Sequence, residues 1–222
     1  MDQQNESTYK CLTMNYKTAI ILAPHTDDGE LGCGATIHHL LMQNTKVYYV
    51  AFSTCRRSLP EGTPANTLEL EVKEAVKILG LPEKNLILCD YDVRDFPSQR
   101  QAILEKMVVL SKKINPDVVF LPSSTDTHQD HQVIHNEGLR AFKKSSVLGY
   151  EMPWNNTVFT SNTFIKLKKQ NIEKKLEALK AYKSQEGRTY LNREFIMGLA
   201  KVRGVQAATD YAEAFEAIRI II

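Results

Sequence analysis

The sequence predicts a single α/β domain built on a mostly parallel β-sheet with helices on both faces. Two observations carry this prediction. Short apolar runs alternate along the chain with longer segments of helical periodicity, and 222 residues is a length that suits one domain. Alternation of this kind is typical of βαβ units. Because the crossovers between parallel strands are right-handed, we expect helices on both faces of the sheet.

Apolar runs mark the predicted strands. Residues 18–23 form such a run, ended by Pro24, which is typical of a strand buried on both faces. The run at 46–52 is rich in β-branched and aromatic residues, which favour strands. The other predicted strands are residues 86–89, 117–121, 147–152 and 157–160.

Segments of helical periodicity separate these runs. The predicted helices are residues 35–42, 68–79, 99–114, 129–144 and 171–184, and the tail from residue 207 is predicted to begin as a helix. Gly80 and Asn115-Pro116 are stop signals for two of them. Seven lysines between residues 166 and 183 would suit an anionic partner. A solvated helix face is the simpler interpretation, because lysine stems cover apolar surface while their charged ends stay in water.

Composition and charge disfavour several classes of protein. Lys and Arg number 28 against 26 Asp and Glu, a net charge of +2, so we expect no nucleic-acid partner. No apolar run approaches the ~20 residues that span a bilayer, so no integral membrane segment is expected. Residues 1–17 form a polar leader without the apolar block of a secretory signal, and we assign residues 18–222 to the domain. Four cysteines without a C-x-x-C pair disfavour disulfide scaffolds and zinc knuckles. We expect a cytoplasmic enzyme.

Concentrated polar chemistry follows the first predicted strand, where His25, Asp27 and Asp28 lie within four residues. Functional groups of open α/β sheets collect beyond the carboxyl ends of the strands. Histidine nitrogen and aspartate oxygen are common zinc ligands, so His25 and Asp28 are candidates for binding one ion. Asp27 beside them could then accept a proton from an attacking water. The alternative is that Asp27 or Asp28 only caps the following helix.

A second polar segment follows the fourth predicted strand and contains His128, Asp130 and His131. If the first and fourth strands are neighbours, the two segments face each other and His131 can supply a third ligand. His128 would then lie near the open coordination position, where an imidazolium could stabilise an oxyanion or protonate a leaving amine. Asp130 could hydrogen-bond the His128 ring and raise its basicity. The alternative for each histidine alone is an ordinary core or surface position.

Together the two segments favour a divalent metal site over the alternatives. Zinc is the expected ion, although Fe²⁺ or another divalent ion would also accept two histidines and a carboxylate. A nucleotide site is disfavoured at the first segment, because Gly29, Gly32 and Gly34 give G-x-x-G-x-G and not the dinucleotide fingerprint. The neighbouring carboxylates would also repel a pyrophosphate.

The two segments resemble the motifs of the PIG-L/LmbE-like zinc-dependent de-N-acetylases. The opening motif of that family stands here as Ala23-Pro24-His25-Thr26-Asp27-Asp28, and its second motif as His128-Gln129-Asp130-His131. The resemblance implies a Rossmann-like α/β sheet. It also implies zinc ligands at His25, Asp28 and His131, a general base at Asp27 and an electrophilic histidine at His128.

The resemblance further implies removal of an N-acetyl group from an acetamido sugar derivative, such as an N-acetylglucosamine-type glycoconjugate or a nucleotide sugar. An arginine found in many members is missing here at Thr67-Leu68, and Arg56 and Arg57 are candidates to replace it. Trp154 and Asn155 are candidates for a substrate wall, because an indole can stack on a sugar ring. Alternatives are a metal hydrolase of another amide and a non-catalytic sugar- or nucleotide-binding module. Assembly into a homo-oligomer is left open.

Overall fold

A computed structural model describes residues 16–222 of the chain. All but two residues of the expected polar leader therefore lie outside the described residues. Within residues 16–222, no helix is both long enough and apolar enough to cross a bilayer.

Seven strands and six α-helices make up the regular structure of the described chain. The strands are β1 (Thr18–Ala23), β2 (Lys46–Ala51), β3 (Leu86–Leu88), β4 (Val118–Pro122), β5 (Ser146–Tyr150), β6 (Thr163–Leu167) and β7 (Tyr211–Arg219). The helices are α1 (Asp28–Met42), α2 (Thr67–Ile78), α3 (Phe96–Ile114), α4 (Gln129–Ala141), α5 (Lys169–Leu179) and α6 (Arg193–Gln206).

The strands form one sheet in the order β3-β2-β1-β4-β5-β7-β6. Strands β1 to β5 run parallel, whereas β7 pairs antiparallel with both β5 and β6. This confirms the predicted α/β class and mostly parallel sheet. Strands β1 and β4 are neighbours, with Ile20 opposite Val119. The strand order reverses between them, and such a switch point is where ligands bind in open α/β sheets.

Two apolar layers cover the two faces of the sheet. Alternate residues of β1 belong to different layers: Ile21 packs with the layer that includes residues of α1, α2 and α5, and Ile20 with the layer that includes residues of α3 and α4. Residues 19–23 are completely buried. Successive side chains of a strand point to opposite faces, so a strand buried on both faces has a continuous apolar sequence.

One predicted strand, at residues 157–160, and one predicted helix, from residue 207, are wrong. Residues 157–160 are irregular, and β6 begins at Thr163. The tail is not helical from residue 207, because α6 ends at Gln206 and residues 211–219 form β7. Alanine and glutamate in this segment favour a helix when isolated. Pairing on both sides, with β5 and β6, overrides that preference.

Helix α1 contains a break that a distant ion pair holds in place. Cys33 has φ −148° and ψ 27°, outside the helical region. The amides of Ala35 and Thr36 donate instead to the carboxylate of Glu213, at 3.3 and 2.8 Å. Lys175 Nζ donates to the same carboxylate at 2.7 Å and to the Leu31 carbonyl at 2.6 Å. Glu213 therefore caps the second half of α1 from strand β7.

The expectation that the lysines of residues 166–183 form only a solvated face is wrong for Lys175. Its side chain is buried, while its neighbour Lys174 is half-buried and pairs with Glu177 at the surface. A buried ammonium is tolerated because the Glu213 carboxylate and a backbone carbonyl satisfy its hydrogen bonds.

Candidate active site

The ends of β1 and β4 bring the two polar segments together. His25 follows β1, and Asp28 is the first residue of α1. His128 is the N-cap residue of α4, and His131 lies in its first turn. Because β1 and β4 are adjacent and parallel, both segments emerge at the same edge of the sheet.

Three donor atoms of these segments converge on one point. His25 Nδ1 lies 3.0 Å from Asp28 Oδ2, and His131 Nε2 lies 3.2 Å from the same oxygen. The two ring nitrogens are 3.4 Å apart. We call these three residues the metal triad. Tetrahedral ligand atoms held 2.0–2.1 Å from a zinc ion lie about 3.3 Å from one another. The spacing and the donor types of the metal triad therefore fit a divalent metal ion.

His128 is the third histidine of the cluster. Ring nitrogens of His25, His128 and His131 lie within 4.8 Å of one another, so these three could also hold an ion. We favour Asp28 as the third ligand because its oxygen is closer to both other donors. His128 Nδ1 accepts a hydrogen bond from the Asp130 amide at 3.1 Å, which leaves Nε2 to face the site.

Each histidine of the metal triad is oriented by a carboxylate behind it. His131 Nδ1 contacts Asp126 Oδ2 at 2.7 Å, and His25 Nε2 contacts Asp130 Oδ2 at 3.0 Å. Such partners fix the tautomer and ring direction of a ligand histidine. Asp130 hydrogen-bonds the His128 ring as expected, but through its backbone amide. Its carboxylate binds His25 and the amides of Arg94 and Phe96 instead, so the expectation that this carboxylate raises the basicity of His128 through a hydrogen bond is wrong.

The electrostatics of the metal triad follow from close opposite charges. Burial lowers the pKa of His25, but the Asp28 charge and hydrogen bonds to Asp130 and Asp28 raise it to about 9. Burial likewise opposes charging of His131, yet Asp28 and Asp126 raise its pKa to about 10. Burial would raise the pKa of Asp28, but the two histidines hold it well below the ordinary value. An anionic Asp28 is suited to bind a cation.

Asp27 differs from its neighbour Asp28. Its carboxylate does not cap α1, so the capping alternative does not describe it. Burial, followed by the charge of Asp28, raises the pKa of Asp27 to about 6. A carboxylate with a pKa near neutrality can both accept and release a proton at physiological pH.

The imidazole ring of His128 favours the neutral state over the protonated one. Burial, followed by the charges of His131 and His25, lowers its pKa. Since Nδ1 accepts the Asp130 amide proton, the neutral ring carries its own proton on Nε2. His128 can therefore offer an Nε2–H to an oxyanion without being charged.

A buried network supports the backbone just before Asp27. The Thr26 carbonyl accepts hydrogen bonds from the hydroxyls of Tyr49 and Tyr182, at 2.9 and 2.8 Å. Glu30 contacts the same two hydroxyls, at 3.0 Å for Tyr182. Burial raises the pKa of Glu30 to about 8. This network fixes the turn that carries the candidate base.

A cavity of about 310 Å³ opens over these groups. Trp154 and Asn155 line it, at positions expected for the substrate wall. Trp154 is 38% exposed and stacks on Tyr190, with ring centroids 4.1 Å apart and planes 13° from parallel. The cavity therefore has a flat aromatic wall facing acidic and imidazole groups.

Arg56 and Arg57 do not line this cavity, contrary to the expectation for substrate contacts. Arg56 pairs with Asp90 at 3.3 Å and Arg57 with Asp92 at 3.0 Å, on a neighbouring surface. Leu68 lines the cavity instead. The turn at residues 56–58 directs both guanidinium groups toward the loop after β3.

Sequence reasoning missed three residues of the site. Asp126 has a local signal, because it lies five residues before His131 in the same polar segment. Tyr190 and Arg188 line the cavity from a loop between α5 and α6, and they match no motif. Their place depends on how that loop packs, which local sequence does not encode.

Comparisons with known proteins agree with this geometry. Residues 20–142 match the model of the family PIG-L: GlcNAc-PI de-N-acetylase. The chain is 27% identical over 189 residues to the uncharacterized deacetylase YaiS of Escherichia coli K12, covering 83% of this chain and all of that protein.

Solved structures share the fold. The N,N'-diacetylchitobiose deacetylase from Pyrococcus horikoshii aligns with a TM-score of 0.75 and 20% identity, over 90% of this chain and 83% of that one. The 4-carboxy-2-hydroxymuconate hydratase from Pseudomonas putida KT2440 aligns with a TM-score of 0.74 and 19% identity, over 93% of this chain and 98% of that one. Proteins with this fold therefore catalyse more than one reaction, so the fold alone does not identify the family. The family match does, because it spans more than half of the chain and includes both polar segments. The chain belongs to the PIG-L family of de-N-acetylases.

Proposed function

We propose that the chain is a zinc-dependent hydrolase that removes the N-acetyl group from an acetamido sugar derivative and releases acetate and a free amine. The observation that carries the proposal is the convergence of His25 Nδ1, Asp28 Oδ2 and His131 Nε2 within 3.4 Å of one another. This donor set would hold the metal, with Fe²⁺ as the alternative ion. When bound, the ion supplies Lewis acidity that polarises the acetamide carbonyl.

Asp27 acts as the proton carrier in this proposal. It accepts a proton from the attacking water as the new C–O bond forms, and it passes that proton to the amine nitrogen as the C–N bond breaks. Burial raises the pKa of Asp27 above the ordinary carboxyl value, which favours its accepting a proton and passing it on. The buried network behind Thr26 keeps the Asp27 turn in place during the reaction.

His128 stabilises the oxyanion of the tetrahedral intermediate through its Nε2–H. Its Nδ1 is occupied by the Asp130 amide, so the donor direction is fixed before substrate arrives. Preorganised donors of this kind contribute about 2.7–4 kcal/mol to a transition state. Trp154 offers a ring face on which a sugar can stack, and the neighbouring Asn155 amide can bond a hydroxyl.

The test is release of amine and acetate from a panel of acetamido sugars. Protein is stripped with chelator, reloaded with Zn²⁺ or Fe²⁺, and assayed on free, phosphate-linked, nucleotide-linked and lipid-linked N-acetylglucosamine and on simple acyl amines. We expect stoichiometric acetate and amine from at least one acetamido sugar, only in the metal-loaded protein. Turnover of simple acyl amines alone would identify another amide hydrolase. Tight binding of a sugar or nucleotide without turnover, by protein that takes up no metal, would identify a binding module.

A further inference from the structure

The loop between α5 and α6 (residues 180–191) is fixed by hydrogen bonds near both of its ends. Near its start, Ser184 bonds the Glu71 carboxylate through its amide at 2.8 Å and its hydroxyl at 2.6 Å. Just after its end, Asn192 caps α6 by accepting the Phe195 amide at 2.7 Å. We call this segment the Arg188 loop, because it holds Arg188 between two fixed ends.

Arg188 has no acidic partner in the described chain. Among residues 16–222, no carboxylate oxygen lies within 4.0 Å of its guanidinium nitrogens. Asp27 and Asp28 attract it only from farther away. Its guanidinium contacts the Tyr190 hydroxyl, a neutral group whose ring stacks on Trp154. An exposed guanidinium thus stands at the cavity with its charge uncompensated.

Arg188 also connects the cavity with a second, more open groove of about 690 Å³. Lys180 and Lys183 line this groove, and Glu186 is its single acidic lining residue in the described chain. Neither lysine forms an ion pair within residues 16–222. Positive charge therefore continues from the wall of the active-site cavity into the groove, although the whole chain is nearly neutral.

We infer that Arg188 is a specificity residue that binds a phosphate group on the amine side of the substrate. This inference rests on the proposed function, which puts the acetamide at the metal triad. The rest of the substrate must then leave the triad along the wall formed by Trp154, Tyr190 and Arg188. A guanidinium binds phosphate and carboxylate with paired hydrogen bonds, and the two groove lysines extend the same preference outward.

A different role for Arg188 makes a different prediction. If it only balances the charge of Asp27 and Asp28, its loss will affect neutral and anionic substrates equally. If it binds the substrate, its loss will affect only the anionic one, and through KM more than kcat.

The experiment compares N-acetylglucosamine with its 1-phosphate and 6-phosphate, in zinc-loaded wild type, Arg188→Gln and Arg188→Lys. We expect wild type to prefer one phosphate ester by about 10-fold or more in kcat/KM, since hydrogen bonds to a charged group are stronger than those between neutral groups. Arg188→Gln should remove that preference by raising KM for the ester, while kcat/KM for the neutral sugar changes much less. Arg188→Lys should retain part of it, because a point charge replaces a planar fork. Arg193→Gln is the matched control and should behave as wild type, because Arg193 of α6 pairs with Glu173 of α5 and does not line the cavity.

Binding measured without turnover separates this inference from the proposed function. Calorimetry with glucosamine 1-phosphate, glucosamine 6-phosphate and glucosamine reports the Arg188 contact even if no acetamide is hydrolysed. Arg188-dependent binding of a phosphate ester without any deacetylation would contradict the proposed function and leave the Arg188 contact supported. Deacetylation with no preference for either ester, or an equal loss on neutral and anionic sugars in Arg188→Gln, would overturn the inference alone.

Discussion

The part of the chain from β1 to α4 and the part from β5 to β7 contribute differently to the site. The first part supplies the metal triad, the candidate base Asp27 and His128. The second part supplies the wall formed by Trp154, Tyr190 and Arg188. The family match ends at residue 142, near the boundary between the two. In the proposed function, bond-breaking chemistry and substrate recognition therefore belong to separate stretches of sequence, and each can be tested alone.

The largest effect should come from His131→Ala in the first part. Loss of one ligand of the metal triad should leave protein that does not retain zinc after dialysis, with amine release reduced at least about 1,000-fold for every substrate. Elemental analysis and the amine assay measure the two effects. His39→Ala, which changes a histidine of α1 away from the cavity, is the control and should keep its metal. Stoichiometric zinc and full turnover in His131→Ala would contradict the metal triad.

Asp27→Asn should lower the turnover rate without lowering the metal content. We expect kcat to fall about 10²–10⁴-fold, the usual contribution of a proton carrier, while the zinc content stays at wild-type level. In wild type the raised pKa of Asp27 predicts that activity falls as the pH drops through about 6, because the protonated carboxyl cannot accept a proton. A bound cation would move that limb lower. A pH–rate profile of both proteins decides the point, and an Asn variant with wild-type turnover refutes the assignment.

Lys175→Met should affect stability and not chemistry, although α1 carries Asp28 of the metal triad. Removing one partner of a buried ion pair leaves Glu213 unpaired and costs about 3–5 kcal/mol in the free energy of unfolding. Lys174→Met, which removes a surface pair, should cost about 0–1 kcal/mol. Urea unfolding of the two variants gives the comparison. Equal unfolding midpoints would show that the ion pair does not hold the break in α1.

Asp126→Ala should weaken metal binding without abolishing it. Losing the carboxylate behind a ligand histidine typically lowers metal affinity about 10–100-fold. Asp126→Asn, which keeps an oxygen acceptor for His131 Nδ1, should recover part of that loss. Competition with a coloured chelator measures both. If the Ala variant matched wild type, Asp126 would have no role in orienting His131.

Trp154→Ala should have the smallest effect, and only on recognition. We expect KM for the preferred acetamido sugar to rise by up to about 10-fold with kcat unchanged, because the indole contacts the ring and not the reacting bond. Val158→Ala, at a residue that is 66% exposed outside the cavity, is the control. A fall in kcat at constant KM would show that Trp154 contributes to the chemical step and not to substrate binding.

The same division separates what the sequence could predict from what it could not. The end of β1 was predictable because a continuous apolar run stops at a cluster of ligand-type residues, and His128 and His131 follow β4 in the same way. The partner of the Asp130 carboxylate was not predictable. From the sequence, this carboxylate could bond the ring of His128 or that of His25. Only the direction of α4 relative to β1 selects His25.

Residues of the second part have weaker local signals. Glu213 lies in a segment whose composition favours a helix, yet the residue is buried in β7 and bonded to Lys175. Arg188 lies between two short turns, and nothing in its neighbours indicates a cavity. Such positions are set by long-range packing, which single-sequence patterns do not report.

The bond from Glu213 to the broken helix has a consequence for biosynthesis. Strand β7 is the last strand of the described chain, whereas Asp28 begins the first helix. On the ribosome, the amides of Ala35 and Thr36 therefore remain without their acceptor until strand β7 has emerged. The end of α1 that carries Asp28 can thus mature only after residue 213 has been synthesised, and a nascent chain stalled before that residue has an incomplete candidate site.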